Sequence, residues 1–313
     1  MAILTNAFRF VSGGGSYDLL LDETLLFGGM YYDWTPSPYV QRFNSSVIQW
    51  SGSSYTSASG AWVTKNSFST GLYLAGGSGN AETNGAIMCG GNTGSGKVTT
   101  TSGHLNNVVS AKASLPTAVD HCQTGGTLES AINCGGQTTV FSNGTTSYDL
   151  SGNSWTSEGN LSVARYYSMA GGSSADNAIC CGGWSGSASD VCESYDGTSW
   201  STFDNTNFSA GSHNSSGDGS PDSAIRLAYY NGSNYNVNQT WDGTAWTNNT
   251  GTNLAPGNRT TSMCAGNQDN AFSASGNSVT TATWDSSAGS WVTQSSVPGG
   301  HTWGSTGGGG NSA

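Results

Sequence analysis

Ala178-Ile179-Cys180-Cys181-Gly182-Gly183, followed by Tyr195-Asp196-Gly197-Thr198-Ser199-Trp200, is the stretch that decides the fold. A small apolar step runs into a double glycine. An aromatic-Asp turn follows, with a tryptophan just beyond it. The same phrase starts again at Ala86, Ala131, Ala224 and Ala271, so that the spacings along the chain are 45, 47, 46 and 47 residues. A further start fits at Leu25 in Leu25-Leu26-Phe27-Gly28-Gly29. That unit runs 61 residues to Ala86, about 15 more than its neighbours, and the excess falls around Tyr31-Tyr32-Asp33-Trp34-Thr35-Pro36-Ser37-Pro38-Tyr39. The aromatic turns keep the same register: Tyr148-Asp149 with Trp155, Trp241-Asp242 with Trp246, Trp284-Asp285 with Trp291. Some copies fade. The unit from Ala224 has Leu227-Ala228 in place of the glycines, and residues 86–130 contain no Phe, Tyr or Trp.

A fixed period of this length means one supersecondary unit stacked many times. No unit carries helix signals, and 46 residues is the size of a four-stranded antiparallel sheet. Such sheets arranged around an axis form a β-propeller. Within a unit, the first strand ends in glycines, as in Arg165-Tyr166-Tyr167-Ser168-Met169-Ala170-Gly171-Gly172. The second is the Ala-Ile-x-Cys run, the third carries the aromatic-Asp turn, and the fourth carries the tryptophan. The large aromatics are expected between neighbouring sheets, where each buries ~150–250 Å². The whole chain, 1–313, reads as one all-β propeller domain of six blades, with seven as the alternative. Phe8-Arg9-Phe10-Val11-Ser12-Gly13-Gly14-Gly15 and Trp303-Gly304-Ser305-Thr306-Gly307-Gly308-Gly309 read as terminal first strands. One of them pairing beside the other end would close the ring and remove its open edges.

Charged residues make up only 9% of the chain, against a typical ~25%. The 11% aromatic content and the repeat register argue against disorder. Net charge is −11, with three lysines and five arginines. A phosphate-binding face needs clustered Lys and Arg, so nucleic acid is excluded as a partner and an anionic membrane surface is disfavoured. No apolar run approaches the ~20 residues of a membrane span. Met1-Ala2-Ile3-Leu4-Thr5-Asn6 lacks the charged and apolar regions of a secretory signal.

Gly-Gly, an aromatic 12 residues later (Gly136 to Tyr148, Gly183 to Tyr195), then Trp five to seven further on, resembles the kelch repeat. The match covers about residues 25–300 and is strongest at 131–200. The resemblance implies a kelch-type propeller, a family that is mostly a binding scaffold. The composition departs from that family. It is nearly uncharged and rich in Gly, Ser, Thr and Asn, and so is similar to repeat proteins among bacteriophage structural and tail-fibre components.

Candidate chemistry is sparse. A carboxylate stands two residues before most second strands: Glu23, Glu129, Asp176, Asp222 and Asp269, with Asn84 and Glu82 near the remaining slot. A ring of them could hold Ca²⁺ or another hard cation, although Asp and Asn also accept backbone hydrogen bonds in tight turns. The turns at Asp149, Asp196, Asp242 and Asp285 resemble the Asp-box of sialidases, one residue short at 194–200, but the arginine triad such an enzyme needs has only Arg9, Arg42, Arg165, Arg226 and Arg259 to draw on. Four histidines, His104, His121, His213 and His301, are too scattered for the copper site of a galactose-oxidase-like ring, and His121 and His213 fall on first strands of different blades. The seven cysteines include Cys89, Cys134 and Cys181 at one repeat position. Equivalent positions on successive blades stand too far apart for disulfides, and buried small hydrophobes fit them best. No nucleophile elbow, phosphate loop or Cys-x-x-Cys pair occurs.

The best binding candidates are Tyr31, Tyr32, Trp34 and Tyr39 in the insertion, because a long segment that breaks a repeat usually serves function and exposed aromatics suit sugar faces and protein interfaces. The expected function is a non-enzymatic component of a bacteriophage virion, made in the host cytoplasm, which docks neighbouring virion proteins or a host-surface glycan within a larger assembly. No catalytic residue, cofactor or membrane insertion is expected. A carbohydrate-active propeller enzyme and a cellular kelch-like scaffold are the alternatives.

Overall fold

The computed structural model describes residues 3–5, 21–27, 30–33, 40–43, 47–52, 61–65, 72–80, 85–105, 108–206, 208, 213–230, 234–249, 262–275, 281–286, 289–294 and 296. Up to residue 71 the description covers the backbone of the strands alone. The N-terminal sheet holds β1 (Ile3–Thr5), β2 (Leu21–Phe27), β5 (Val47–Gly52) and β6 (Ala61–Lys65), and the hairpin β3 (Met30–Asp33) and β4 (Val40–Phe43) is inserted between β2 and β5. Five four-stranded sheets follow in chain order. Blade II is β7 (Gly76–Asn80), β8 (Gly85–Cys89), β9 (Thr101–Leu105) and β10 (Val108–Lys112); blade III is β11 (Gln123–Gly126), β12 (Ser130–Cys134), β13 (Thr145–Asp149) and β14 (Ser154–Ser157). Blade IV is β15 (Met169–Ser174), β16 (Asn177–Cys181), β17 (Cys192–Tyr195) and β18 (Trp200–Thr202). Blade V is β19 (His213–Ser220), β20 (Ser223–Tyr230), β21 (Asn234–Trp241) and β22 (Trp246–Asn248); blade VI is β23 (Ser262–Gly266), β24 (Asn270–Ser275), β25 (Thr281–Asp285) and β26 (Ser290–Gln294).

Every sheet pairs its strands antiparallel and in sequence order. The first strands lie side by side, β7 against β11, then β15, β19 and β23. Blades II to VI make five, not the six, or alternatively seven, that the register suggests; no seventh four-stranded sheet stands among the described strands. The N-terminal sheet has the same strand order, and its β1 lies beside both β7 and β23.

The expected closure of the ring by a terminal strand falls on segments that the description does not reach; among the described strands β1, at Ile3–Thr5, pairs with β2 of its own sheet. The segments 8–15 and 303–309 lie outside the described residues. The first strand of blade IV is shorter than expected, starting at Met169 rather than Arg165. Tyr167 is at φ 60°, outside the extended region, so residues 165–168 form an entry loop instead.

The repeated sequence words have physical jobs. The recurring alanine, at 86, 131, 178, 224 and 271, is at most 1% exposed in every blade. Among the described residues, both glycines of the pairs that follow the second strands of blades II to IV adopt left-handed backbone, with φ 63° and 93° at Gly135 and Gly136 and 70° and 98° at Gly182 and Gly183. A side chain would be strained there. It would also collide: a Cβ on Gly136 would sit 2.8 Å from the Asp120 carbonyl, and one on Gly183 2.7 Å from that of Tyr166. The aromatic words pair up on strands three and four. Ring centroids are 5.1 Å apart for Tyr148–Trp155, 5.2 Å for Tyr195–Trp200, 5.7 Å for Trp241–Trp246 and 5.5 Å for Trp284–Trp291. The tryptophans reach back to the preceding blade. The Trp155 indole N–H donates to the Ala113 carbonyl at 2.9 Å, and that of Trp200 to Thr145 Oγ1 at 3.0 Å.

Candidate functional site

In each blade the first strand starts, and the second ends, at the same end of the sheet. The loops there are the entry segment before strand one and the connection from strand two to strand three. They are tied together by isolated bridges that repeat: Tyr73 with Asn92, Asp120 with Gln137, Tyr166 with Trp184. One residue later the backbone turns left-handed at three equivalent non-glycine positions, Leu74 (φ 57°), His121 (52°) and Tyr167 (60°). Bulky residues in this region carry strain, and such strain concentrates at functional sites. The double glycines hold the geometry, since Gly91, Gly136 and Gly183 pack directly on Tyr73, Asp120 and Tyr166 respectively.

A polar and aromatic cluster results, centred between blades III and IV. Asp120 is buried. Its Oδ1 accepts from Lys97 Nζ at 2.7 Å and lies 2.9 Å from His121 Nδ1, and its Oδ2 accepts from Asn92 Nδ2 at 3.1 Å. Lys97 Nζ also donates to Gln137 Oε1 at 3.2 Å. The His121 ring stands edge-on to Tyr167 and Tyr166, with centroids 4.4 and 5.4 Å away. Tyr166 and Tyr167 lie 4.4 Å apart, and Phe141 adds a ring 5.0 Å from Tyr166. All four rings are half-buried, so they are fixed while keeping part of each surface open. Burial acts to raise the Asp120 carboxyl, but the bonds from His121, Lys97 and Asn92 outweigh it and hold it at about 2. Tyr167 is pushed up to about 12 by burial first, then by Tyr166 and the Asp120 charge. The site therefore presents an anion locked among donors, beside phenols that remain protonated. It can stack on a flat ligand face and exchange hydrogen bonds with it.

The opposite end of the blades carries the other sequence candidates. Asp149, Asp196 and Asp242 each cap their own turn: Asp196 Oδ1 accepts from Thr198 N and Ser199 N, both at 2.9 Å, and Asp242 Oδ1 from Thr244 N and Ala245 N, both at 2.8 Å. Their carboxyls lie below the ordinary value because of hydrogen bonds from Ser151, Ser199 and Thr244 respectively, with further turn N–H groups adding to each. The Asp-box likeness is thus turn chemistry. Glu129 is half-buried, and Asp176, Asp222 and Asp269 are exposed at successive first hairpins. Among the described residues no three His, Cys, Asp or Glu side chains converge on a point that could hold a metal. Asp269 lines a polar cleft of about 430 Å³ with Thr240, Asn249, Gln268 and Trp284. The side chain of Glu23 lies outside the described residues.

Tyr31 and Tyr32 sit on β3, paired with Arg42 and Gln41 on β4. Trp34 and Tyr39 lie outside the described residues. The β3–β4 hairpin extends the strand-two-to-three connection of its sheet, the same connection that supplies Lys97, Gln137 and Phe141 in blades II and III. His121 lies in an entry loop, not on a first strand as expected. Sequence reasoning missed Asp120, Tyr166 and Tyr167 as a cluster. The available signal was their common offset, one and two residues after Val119 and Arg165, in successive units.

No family model matches the chain, and no curated protein matches it. A solved structure, that of YjhT, superposes with a TM-score of 0.63 at 12% identity, covering 86% of this chain and 96% of YjhT. This chain is a β-propeller of four-stranded antiparallel blades. At that identity the likeness carries the fold alone.

Proposed function

We propose that the chain is a non-enzymatic binding module of a bacteriophage virion. In this reading it is a kelch-type propeller completed to six blades by the N-terminal sheet, and it docks a host-surface glycan through the end carrying Asp120, His121, Tyr166 and Tyr167. The observation that carries the reading is the half-buried cluster of four rings around a locked Asp120–Lys97–His121 network. Sugars present apolar ring faces flanked by hydroxyls, and fixed aromatics beside polar groups match both. The low charged fraction, 9%, and the scarcity of Lys and Arg suit a neutral rather than an anionic ligand, and the position of β1 between β7 and β23 supports the six-bladed ring. The β3–β4 hairpin, with Tyr31 and Tyr32, belongs to the same end and would widen the surface.

The test is binding of the purified protein to host cells and to an array of their surface glycans, with Tyr166→Ala and Tyr167→Ala beside it. Saturable binding weakened at least about tenfold in both variants, worth about 1.4 kcal/mol, is expected. Unchanged binding in the variants would move the site elsewhere, and its absence from phage particles would end the virion assignment. A second reading, a carbohydrate-active enzyme, is favoured by one feature: the Asp120–His121 hydrogen bond orients an imidazole beside the rings. Glycan turnover abolished by Asp120→Asn would establish it.

A further inference from the structure

We propose that this propeller carries three built-in disulfide sites, Cys89–Cys122, Cys134–Cys180 and Cys181–Cys192, that close on exposure to an oxidant and leave Cys264 as the single free thiol. All seven cysteines are buried and reduced in the structure. They do not scatter. One apolar cluster contains Cys89 and Cys122 with Leu115 and Val119; a second contains Cys134 and Cys180 with Leu161 and Ala170; a third contains Cys181 and Cys192 with Met169 and Ile179. Cys264 packs with Ile225, Leu227 and Phe272's neighbour Ala271 and has no cysteine in its cluster.

Each pair has its own geometric support. Cys122 Sγ lies 3.7 Å from the Cys89 carbonyl oxygen, and Cys89 Sγ accepts from Asn133 at 3.4 Å, so both thiols share one small space. Cys134 and Cys180 occupy adjacent blades, on second strands β12 and β16. Cys181 and Cys192 face each other across β16 and β17. The neighbouring pair Gly182–Val191 is hydrogen-bonded, N to O at 2.9 Å. Pairs alternate along an antiparallel ladder, so Cys181–Cys192 is the close kind, with Cα atoms ~4.5 Å apart. That separation lies inside the ~4.4–6.8 Å range of disulfides. The strand alternation that separates Cys180 from Cys181 is what sends one toward blade III and the other toward its own hairpin.

The chemistry also favours exchange. Cys180 is drawn below the ordinary thiol value by the Cys134 S–H and, against the opposing effect of burial, by Arg165 beside it; a thiolate is the attacking species in disulfide formation. In each pair two S–H bonds break and one S–S bond forms. Two electrons and two protons pass to the acceptor, a low-molecular-weight disulfide that becomes two thiols. Two of the bonds would join neighbouring blades, II to III and III to IV, and the third would lock the β16–β17 hairpin.

The experiment uses the full chain and diamide, which takes up two hydrogens per disulfide. The protein is oxidised while folded, then denatured and alkylated without reductant, and its peptides are mapped. The expected product is six hydrogens lighter, alkylated at Cys264 alone, and yields the three named cross-linked peptides. Its melting temperature exceeds that of the reduced form, and dithiothreitol reverses the shift. Alkylation of all seven cysteines, or a Cys180–Cys181 bond, would overturn the proposal. Cys134→Ser separates the pairs: Cys180 should become alkylated while the other two bonds persist. If that variant fails to fold, Cys122→Ser tests the same independence by freeing Cys89.

Discussion

Asp120 shows how one buried carboxylate ties the site to stability. Its folded value, about 2, lies below the ordinary 3.8. A depressed carboxyl stabilises the fold fully above its unfolded value and loses that contribution as pH falls toward its folded value. The window is therefore roughly pH 4 down to 2, and the shift corresponds to about 2 kcal/mol. Urea unfolding across that window should show this loss in the native chain, with a flatter profile in Asp120→Asn. Arg165 is the second residue that decides much locally. Its Nη2 lies 2.6 Å from Glu193 Oε2, with both side chains at most 1% exposed. It also donates to the Cys180 carbonyl at 3.1 Å. Removing one partner of a buried pair strands the other charge, so Arg165→Met should lower unfolding free energy by about 3–5 kcal/mol in denaturant titrations. Nothing in the sequence marked Arg165 and Glu193 as partners, because they lie on different elements and their contact depends on how blade IV folds back on its entry loop.

At the element scale, the double glycine is the hinge between fold and site. Gly183 has φ 98° and sits where a Cβ would meet Ser168 Oγ at 2.5 Å. Gly183→Ala should destabilise by about 2 kcal/mol or more. It should also disturb Tyr166 and Tyr167, visible as altered tyrosine fluorescence or ring NMR shifts in the folded state. The aromatic words act between elements. Trp200→Phe keeps an aromatic side chain but removes the indole N–H that bonds Thr145 Oγ1 and part of the packed ring, and should cost about 1 kcal/mol or more in thermal or chemical unfolding. The repeated alanines, the glycine pairs and the aromatic-Asp turns were all legible beforehand, since each reports a local requirement: a small buried side chain, a left-handed turn, a capped hairpin. The entry loops were not. Tyr166-Tyr167 has the aromatic character of a strand, and only the left-handed conformation at Tyr167, next to the Tyr166–Trp184 bridge, shows otherwise.

For the whole molecule, the order of blades matters more than any one contact. The first strands neighbour one another from β7 to β23, and β1 touches both ends of that series. Deleting residues 1–65 would expose those two strands at once. The shortened chain should lose its cooperative melting transition by circular dichroism or become aggregation-prone, as unprotected strand edges do. A truncated chain that melts as sharply as the full one would show that blades II to VI stand alone.

The sequence by itself determined the period, the four-stranded unit, the propeller and the burial of its alanines and aromatic pairs. Those properties repeat, and each copy restates the same local physics. It also determined what the surface lacks, a basic patch or a long apolar run. Only the tertiary structure decided which residues meet. It brought Asp120, His121, Tyr166 and Tyr167 together from two entry loops, and it sorted six of the seven cysteines into three apolar clusters. Such meetings depend on the register between blades and on a few left-handed backbone positions. Residues far apart in the chain become neighbours through the accumulated rotation of one sheet against the next, and no single unit's sequence encodes that rotation.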